Sequence, residues 1–185
     1  MTEVYVSVDI ESDGPCPGLN SMLQLGAVAF DEWGKELDSF QRNLELLPEA
    51  TQNASTMEWW SGRQNVYDAT RVDTVSPQMA MKAMDSWLLT LGARPVFVAY
   101  PAGFDFTFVY WYMHKFIGGC RFGFQALDLK SYASAVLSRG FKNTVKSKMP
   151  AHWFEGLPEH NHVAVDDARE QGMLYFRMRE ARRGL

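Results

Sequence analysis

Hydrophobic and polar residues alternate along Val4-Tyr5-Val6-Ser7-Val8-Asp9-Ile10, a β-branched period of two that predicts a strand. Gly14-Pro15 and Pro17-Gly18 close that strand in a loop. Leu23 to Phe30 predicts a second strand, Gly34 a turn, and Glu36 to Leu44 a third, so the chain opens as an antiparallel meander. The stretch 48–75 is polar and reads as irregular, with Trp59-Trp60 in its middle. Pro77 starts a helical pattern over 78–91, with Met81, Met84, Leu88 and Leu91 on one stripe. Pro95 to Tyr100 predicts a short buried strand, followed by helices over about 104–117, 127–138 and 163–183. The order predicts an α/β fold in a single domain, 1–185: one mixed central β-sheet flanked by α-helices.

Composition narrows the class. Apolar residues are 46% of 185, enough for a sizeable core, which excludes a disordered chain or a stapled mini-protein. No basic region precedes an apolar stretch at Met1-Thr2-Glu3-Val4, so no signal peptide is expected. The apolar window Val96 to Ile117 is broken by Pro101, Gly103 and Asp105, so no membrane span is expected. Cys16 and Cys120 stand far apart, outside any metal-ligand spacing, and a cytoplasmic location is the expectation. The net charge of −4 is unevenly spread: residues 1–110 carry −9 and residues 111–185 carry +5. From Leu129 to Phe154 there is no acid, while Lys130, Arg139, Lys142, Lys146 and Lys148 are basic, a stretch suited to a polyanion or to a solvated face.

Certain carboxylates stand where they are costly. Asp9 and Glu11 lie two apart at the end of the first strand, hence on one face and about 7 Å apart along the chain. Tyr5 and Ser7 share that face; Val4, Val6 and Val8 occupy the other. Asp105 begins a stripe with Val109, Tyr112 and Phe116 that should face the core. Asp167 shares an inward stripe with Ala164, Ala168, Leu174 and Met178, whereas Asp166 lies outward with Arg169, Glu170 and Arg177. Were these acids to meet, each pair at about 4 Å would repel by roughly 4 kcal/mol at an effective dielectric of 20. Hard oxygen ligands with little His or Cys favour Mg²⁺ or Mn²⁺.

Asp9-Ile10-Glu11, Gly103-Phe104-Asp105 and His162-Val163-Ala164-Val165-Asp166-Asp167-Ala168 resemble the three motifs of DnaQ-like 3′–5′ exonucleases, in the DEDDh form. The resemblance spans residues 4–175 and implies an RNase H-like fold. It also implies that Asp9, Glu11, Asp105 and Asp167 hold two divalent cations, Mg²⁺ or Mn²⁺, and that His162 is the general base. The implied activity is hydrolysis at the 3′ end of single-stranded RNA or DNA, releasing nucleoside 5′-monophosphates. Stand-alone members commonly form homodimers, and a homodimer is compatible with the resemblance although no interface is legible. Tyr100-Pro101-Ala102-Gly103 departs from the His-Asn that many relatives carry before the second motif.

Trp59 and Trp60 are candidates for stacking on a terminal base, or plugs under a long loop. Lys142, Lys146 and Lys148 are candidates for phosphate contacts, or members of a solvated face. His160 reads as an exposed loop residue and Asp128 as a helix cap. Two other classes remain open: a catalytically inactive nuclease-like binding module, which the loss of a metal acid would favour, and a carboxylate-pair glycosidase, which needs no metal.

Overall fold

The computed structural model describes residues 3–183, the side chain of Arg183 excepted. The alternating segment forms β1 (Glu3–Ser12), and the meander continues through β2 (Met22–Phe30) and β3 (Glu36–Asn43). After helices α1 (Ala54–Ser61), α2 (Gln64–Ala69) and α3 (Pro77–Thr90) comes β4 (Arg94–Ala99). Helix α4 (Ala102–Ile117), strand β5 (Ala126–Asp128), helix α5 (Leu129–Leu137) and the terminal α6 (Ala164–Arg183) complete the elements, with three short 3₁₀ turns between α5 and α6. The sheet order is β3-β2-β1-β4-β5, antiparallel on one side of β1 and parallel on the other. This is the mixed, helix-flanked sheet that the pattern predicts.

Alternation along β1 divides the core. Val4, Val6, Val8 and Ile10 pack with α3 and α4 side chains such as Met81, Met84, Val109 and Tyr112. Tyr5 faces the other side, against Tyr175 and Phe176 of α6. Close approach of α6 to the sheet depends on two glycines. A Cβ on Gly26 would lie 2.2 Å from the backbone of Ala164 and Val165, and one on Gly172 would lie 2.2 Å from the Phe30 ring. Gly26 is the cross-strand partner of Asp9, so the absence of a side chain there seats the start of α6 over the acid end of β1.

The expectation of an irregular 48–75 is corrected: it contains α1 and α2. Asn53 caps α1 by accepting from the Thr56 amide at 3.1 Å, and Trp60 anchors it by donating from Nε1 to the Ser12 carbonyl at 3.0 Å. Eight and six residues with one buried side chain between them give too little apolar periodicity to register as helix. Strand β5 was not anticipated at all. It is three residues long, and its Asp128 caps α5 through the Ser131 amide at 2.7 Å while its other oxygen accepts from Ala102 N at 2.8 Å, fixing the start of α4.

Candidate active site

The carboxylates of Asp9, Glu11, Asp105 and Asp167 are all buried, with Asp167 wholly inaccessible. One oxygen each from Asp9, Glu11 and Asp167 lie within 4.8 Å of one another. Asp105 reaches the same place from α4: its Oδ1 accepts from the Ile10 amide, between Asp9 and Glu11, at 3.1 Å. Its second oxygen, Oδ2, is buried without a hydrogen-bond partner. Acids from two strand positions and two helix starts, separated by up to 158 residues of sequence, are therefore gathered at one end of β1.

Burial dominates their electrostatics. It holds Asp9 well above the ordinary carboxylate range, with the neighbouring Asp105, Glu11 and Asp167 acting in the same sense and a hydrogen bond from Gln171 opposing. Asp105 is pushed up to about 7 by burial, against the stabilising Ile10 amide. Glu11 is also raised by burial, opposed by His162. Such a set lacks positive charge.

Two imidazoles border the acids. His162 Nδ1 stands 3.7 Å from Glu11 Oε1, an ion-pair separation, and its backbone is left-handed at φ 61°. That conformation is unusual for a residue with a Cβ and is held by the His162 amide donating to Asp167 Oδ2 at 3.0 Å. The Asn161 amide donates to Asp167 Oδ1, also at 3.0 Å, so one buried carboxylate shapes the loop that presents the histidine. His160 is the exposed loop residue expected, and it also contacts one of the acids. It is 46% exposed, yet its Nδ1 lies 3.0 Å from Asp167 Oδ2, a bond that raises its pKa.

The tryptophans separate. Trp60 is 1% exposed and cannot present a face to a base, which withdraws it as a substrate contact. Trp59 is 38% exposed, meets the His162 ring edge-to-face at 4.9 Å, and carries the Arg63 guanidinium 4.1 Å from its centroid. The lysines separate too. Lys146 pairs with the buried Glu170, one turn beyond Asp167 in α6, and lies close enough to stabilise the charged form of Asp105. Lys142 and Lys148 are exposed, and among the described residues neither pairs with the four carboxylates, so the structure does not bring them to the pocket.

Sequence reasoning missed Gln171 and Gln24. Gln171 donates from Nε2 to Asp9 Oδ1 at 2.7 Å and accepts from the Tyr100 amide at 2.9 Å, joining α6, β1 and the entry to α4. Gln24 Oε1 accepts from the Ala164 amide at 2.7 Å, the first residue of α6. Gln171 lies four residues after Asp167, a spacing that places an amide on the inward stripe and was the available signal.

Residues 4–177 match the family model described as a 3′-5′ exoribonuclease Rv2179c-like domain. The chain is 30% identical over 178 residues to the Escherichia coli 3′-5′ DNA exonuclease Cap18, covering 94% of this chain and 90% of that protein. Among solved structures, the nuclease domain of 3′hExo, a DEDDh family member bound to rAMP, superposes with a TM-score of 0.69 at 12% identity, covering 97% of this chain and 92% of that one. The Mg²⁺- and Mn²⁺-bound form of S. pombe Pop2p gives 0.65 at 17% identity over 95% of this chain and 82% of that one. At these identities the structural likeness speaks to the fold.

Proposed function

Because this chain belongs to the family of 3′-5′ exoribonuclease Rv2179c-like domains, a member of the DEDDh exonucleases, we propose that it trims single-stranded nucleic acid from the 3′ end, releasing nucleoside 5′-monophosphates. In this reading Asp9, Glu11, Asp105 and Asp167 hold two divalent cations, and His162 is the general base. The observation that carries it is the buried, partnerless Asp105 Oδ2 beside the clustered oxygens of Asp9, Glu11 and Asp167. A donor set of hard oxygens, short of positive charge, suits Mg²⁺ or Mn²⁺. Such ions, when bound, supply charge neutralisation at a phosphodiester and lower the pKa of water.

The chain's own groups do the rest. His162, a quarter exposed at the rim of the acids, accepts the proton of the attacking water. Its left-handed backbone, pinned by Asp167, aims the ring across Glu11 rather than into the core. Trp59, with part of its ring accessible beside His162, stacks on the terminal base; such stacking tolerates any sequence. Lys146, held near Asp105 by Glu170, supplies positive charge to a phosphate.

The family description concerns RNA and the E. coli relative is a DNA exonuclease, so both sugars belong in the test. RNA and DNA of equal sequence, labelled at the 5′ end, are incubated with Mg²⁺ or Mn²⁺ and resolved on a sequencing gel. A ladder shortening from the 3′ end, abolished by EDTA, is expected. Internal cuts, loss of the label in the first product, or activity that survives EDTA would refute the reading.

A further inference from the structure

Beside the oxygen set stands a second group of donors, richer in nitrogen. One donor atom each from His160, His162 and Asp167 lie within 4.8 Å of one another. His160 Nδ1 is 3.0 Å from Asp167 Oδ2, and the two imidazole rings meet edge-to-face with centroids 4.4 Å apart. We infer that these three residues form a site for a transition dication of the zinc class, and that its occupation stops the nuclease. The site stands on its geometry, whereas its effect on turnover rests on the exonuclease reading above.

The loop before α6 holds these donors in place. The Asp167 carboxylate is wholly buried, and the Asn161 and His162 amides each donate to a different oxygen of it at 3.0 Å. Hydrogen bonds of this kind fix the direction of a ligating carboxylate and raise metal affinity. The same bonds keep His162 in its left-handed conformation, at φ 61°, which brings its ring to the carboxylate that His160 also reaches. Trp59, edge-to-face at 4.9 Å, and Glu11 Oε1, 3.7 Å from Nδ1, restrain the His162 ring. His160 is exposed, so an ion enters from solvent without opening the core.

Bond lengths and donor type select the occupant. Zn²⁺ binds imidazole nitrogen and carboxylate oxygen at about 2.0–2.2 Å, so neighbouring donors in its tetrahedral shell stand about 3.3 Å apart. The 3.0 Å between His160 Nδ1 and Asp167 Oδ2 is near that spacing, with a shared proton where the metal would sit. On binding, that proton leaves to solvent and each neutral ring gives one nitrogen lone pair to the ion. Asp167 Oδ2 keeps a lone pair beyond the one that accepts the His162 amide. Three protein donors leave a fourth position for water. Mg²⁺ prefers an octahedron of oxygens and parts reluctantly with its waters, so two imidazoles discriminate against it and in favour of Zn²⁺. A metal-bound imidazole carries its proton on the other nitrogen, so an occupied His162 has no lone pair left for the proton of the attacking water. Excess Mg²⁺ does not restore that lone pair, and turnover stops.

Zinc affinity is measured by competition with a chromophoric chelator, in millimolar Mg²⁺, for the native chain, His160→Ala, His160→Gln and Asp9→Asn. Outer hydrogen bonds to a ligand already change metal affinity about 10–100-fold, so loss of the His160 ligand should weaken zinc binding by more than about 100-fold. His160→Gln should repeat that loss and guards against misfolding of His160→Ala. Asp9→Asn, which alters the oxygen set alone, should bind zinc as the native chain does. X-ray absorption at the zinc edge should count two imidazoles around the ion in the native chain. In the Mg²⁺ assay, with each chain read against its own zinc-free rate, zinc should stop nucleotide release by the native chain. His160→Ala should need at least about tenfold more zinc for the same effect. No zinc binding, equal binding by the native chain and both His160 variants, or a zinc shell without imidazole would overturn the site. Release that continues with zinc bound would overturn the inhibition. Zinc bound in this pattern by a chain that releases no nucleotide with Mg²⁺ or Mn²⁺ would instead leave the site assigned and defeat the catalytic reading.

Discussion

At the scale of single residues, the geometry of the acid cluster depends on side chains outside it. Gln171 is 1% exposed and spends its amide on Asp9 and the Tyr100 backbone, so the orientation of one carboxylate depends on it. Gln171→Met keeps the volume and deletes both hydrogen bonds. Outer hydrogen bonds to metal-ligating groups typically matter about 10–100-fold, so Gln171→Met should raise the Mg²⁺ concentration for half-maximal activity by that order. Titration of activity with metal checks this, and an unmoved midpoint would leave Gln171 a packing residue. The imidazoles make a second contrast. His162→Ala should lower kcat by about 10²–10⁴, while His160→Ala, which removes contacts to Asp167 and to the His162 ring, should cost less in a steady-state assay at saturating metal. The reverse order would assign the proton transfer to His160.

Elements decide whether those residues meet. The first strand, the motif helices and the sheet direction were legible because strong periodicity marks them: β1 alternates over its buried length, and α4 and α6 carry inward stripes. What escaped was short or polar. Strand β5 holds three residues; α1 is held by its Asn53 cap and by Trp60 buried against β1, and α2, which has no side-chain cap, packs Tyr67 on that tryptophan, tertiary contacts that local pattern does not encode. The split between Trp59 and Trp60 was likewise invisible, because adjacent residues on a helix differ by about 100° and only the direction of the helix tells which is inside. The spacing of motifs did reveal four acids, but Gly26 is what lets α6 deliver Asp167 to Asp9. Gly26→Ala should therefore cost about 1–3 kcal/mol of stability by overpacking, read as a lower Tm in thermal denaturation. Activity measured well below that Tm should fall with it as Asp167 is displaced. Full activity and an unchanged Tm would show that the helix start accommodates a methyl group.

Across the whole molecule, charge and burial couple folding to cations and protons. The acid-rich first part supplies three of the clustered carboxylates and the more basic later part supplies Asp167 and Lys146, a charge asymmetry legible in the sequence; the burial that makes the cluster costly was not, since it arises only when α4 and α6 close over β1. Asp105 has a folded-state pKa raised to about 7, so its protonated form favours the fold. The stability it contributes is complete below its unfolded value, about 3.9, and is lost as pH rises through about 7. His160, also raised, acts in the same direction: its contribution is present at low pH and fades as its proton leaves. In EDTA the protein should thus melt at a higher temperature at pH 5 than at pH 8. Divalent cations require the deprotonated acids and bind the folded state, so millimolar Mg²⁺ or Mn²⁺ should raise the Tm more at pH 8 than at pH 5. Differential scanning fluorimetry with and without metal at both pH values gives the four temperatures needed. A metal-induced rise that is the same at both pH values would separate cation binding from these carboxylates. Asp105→Asn supplies the control: lacking the titrating oxygen, it should flatten the pH dependence in EDTA and reduce the gain from metal at pH 8.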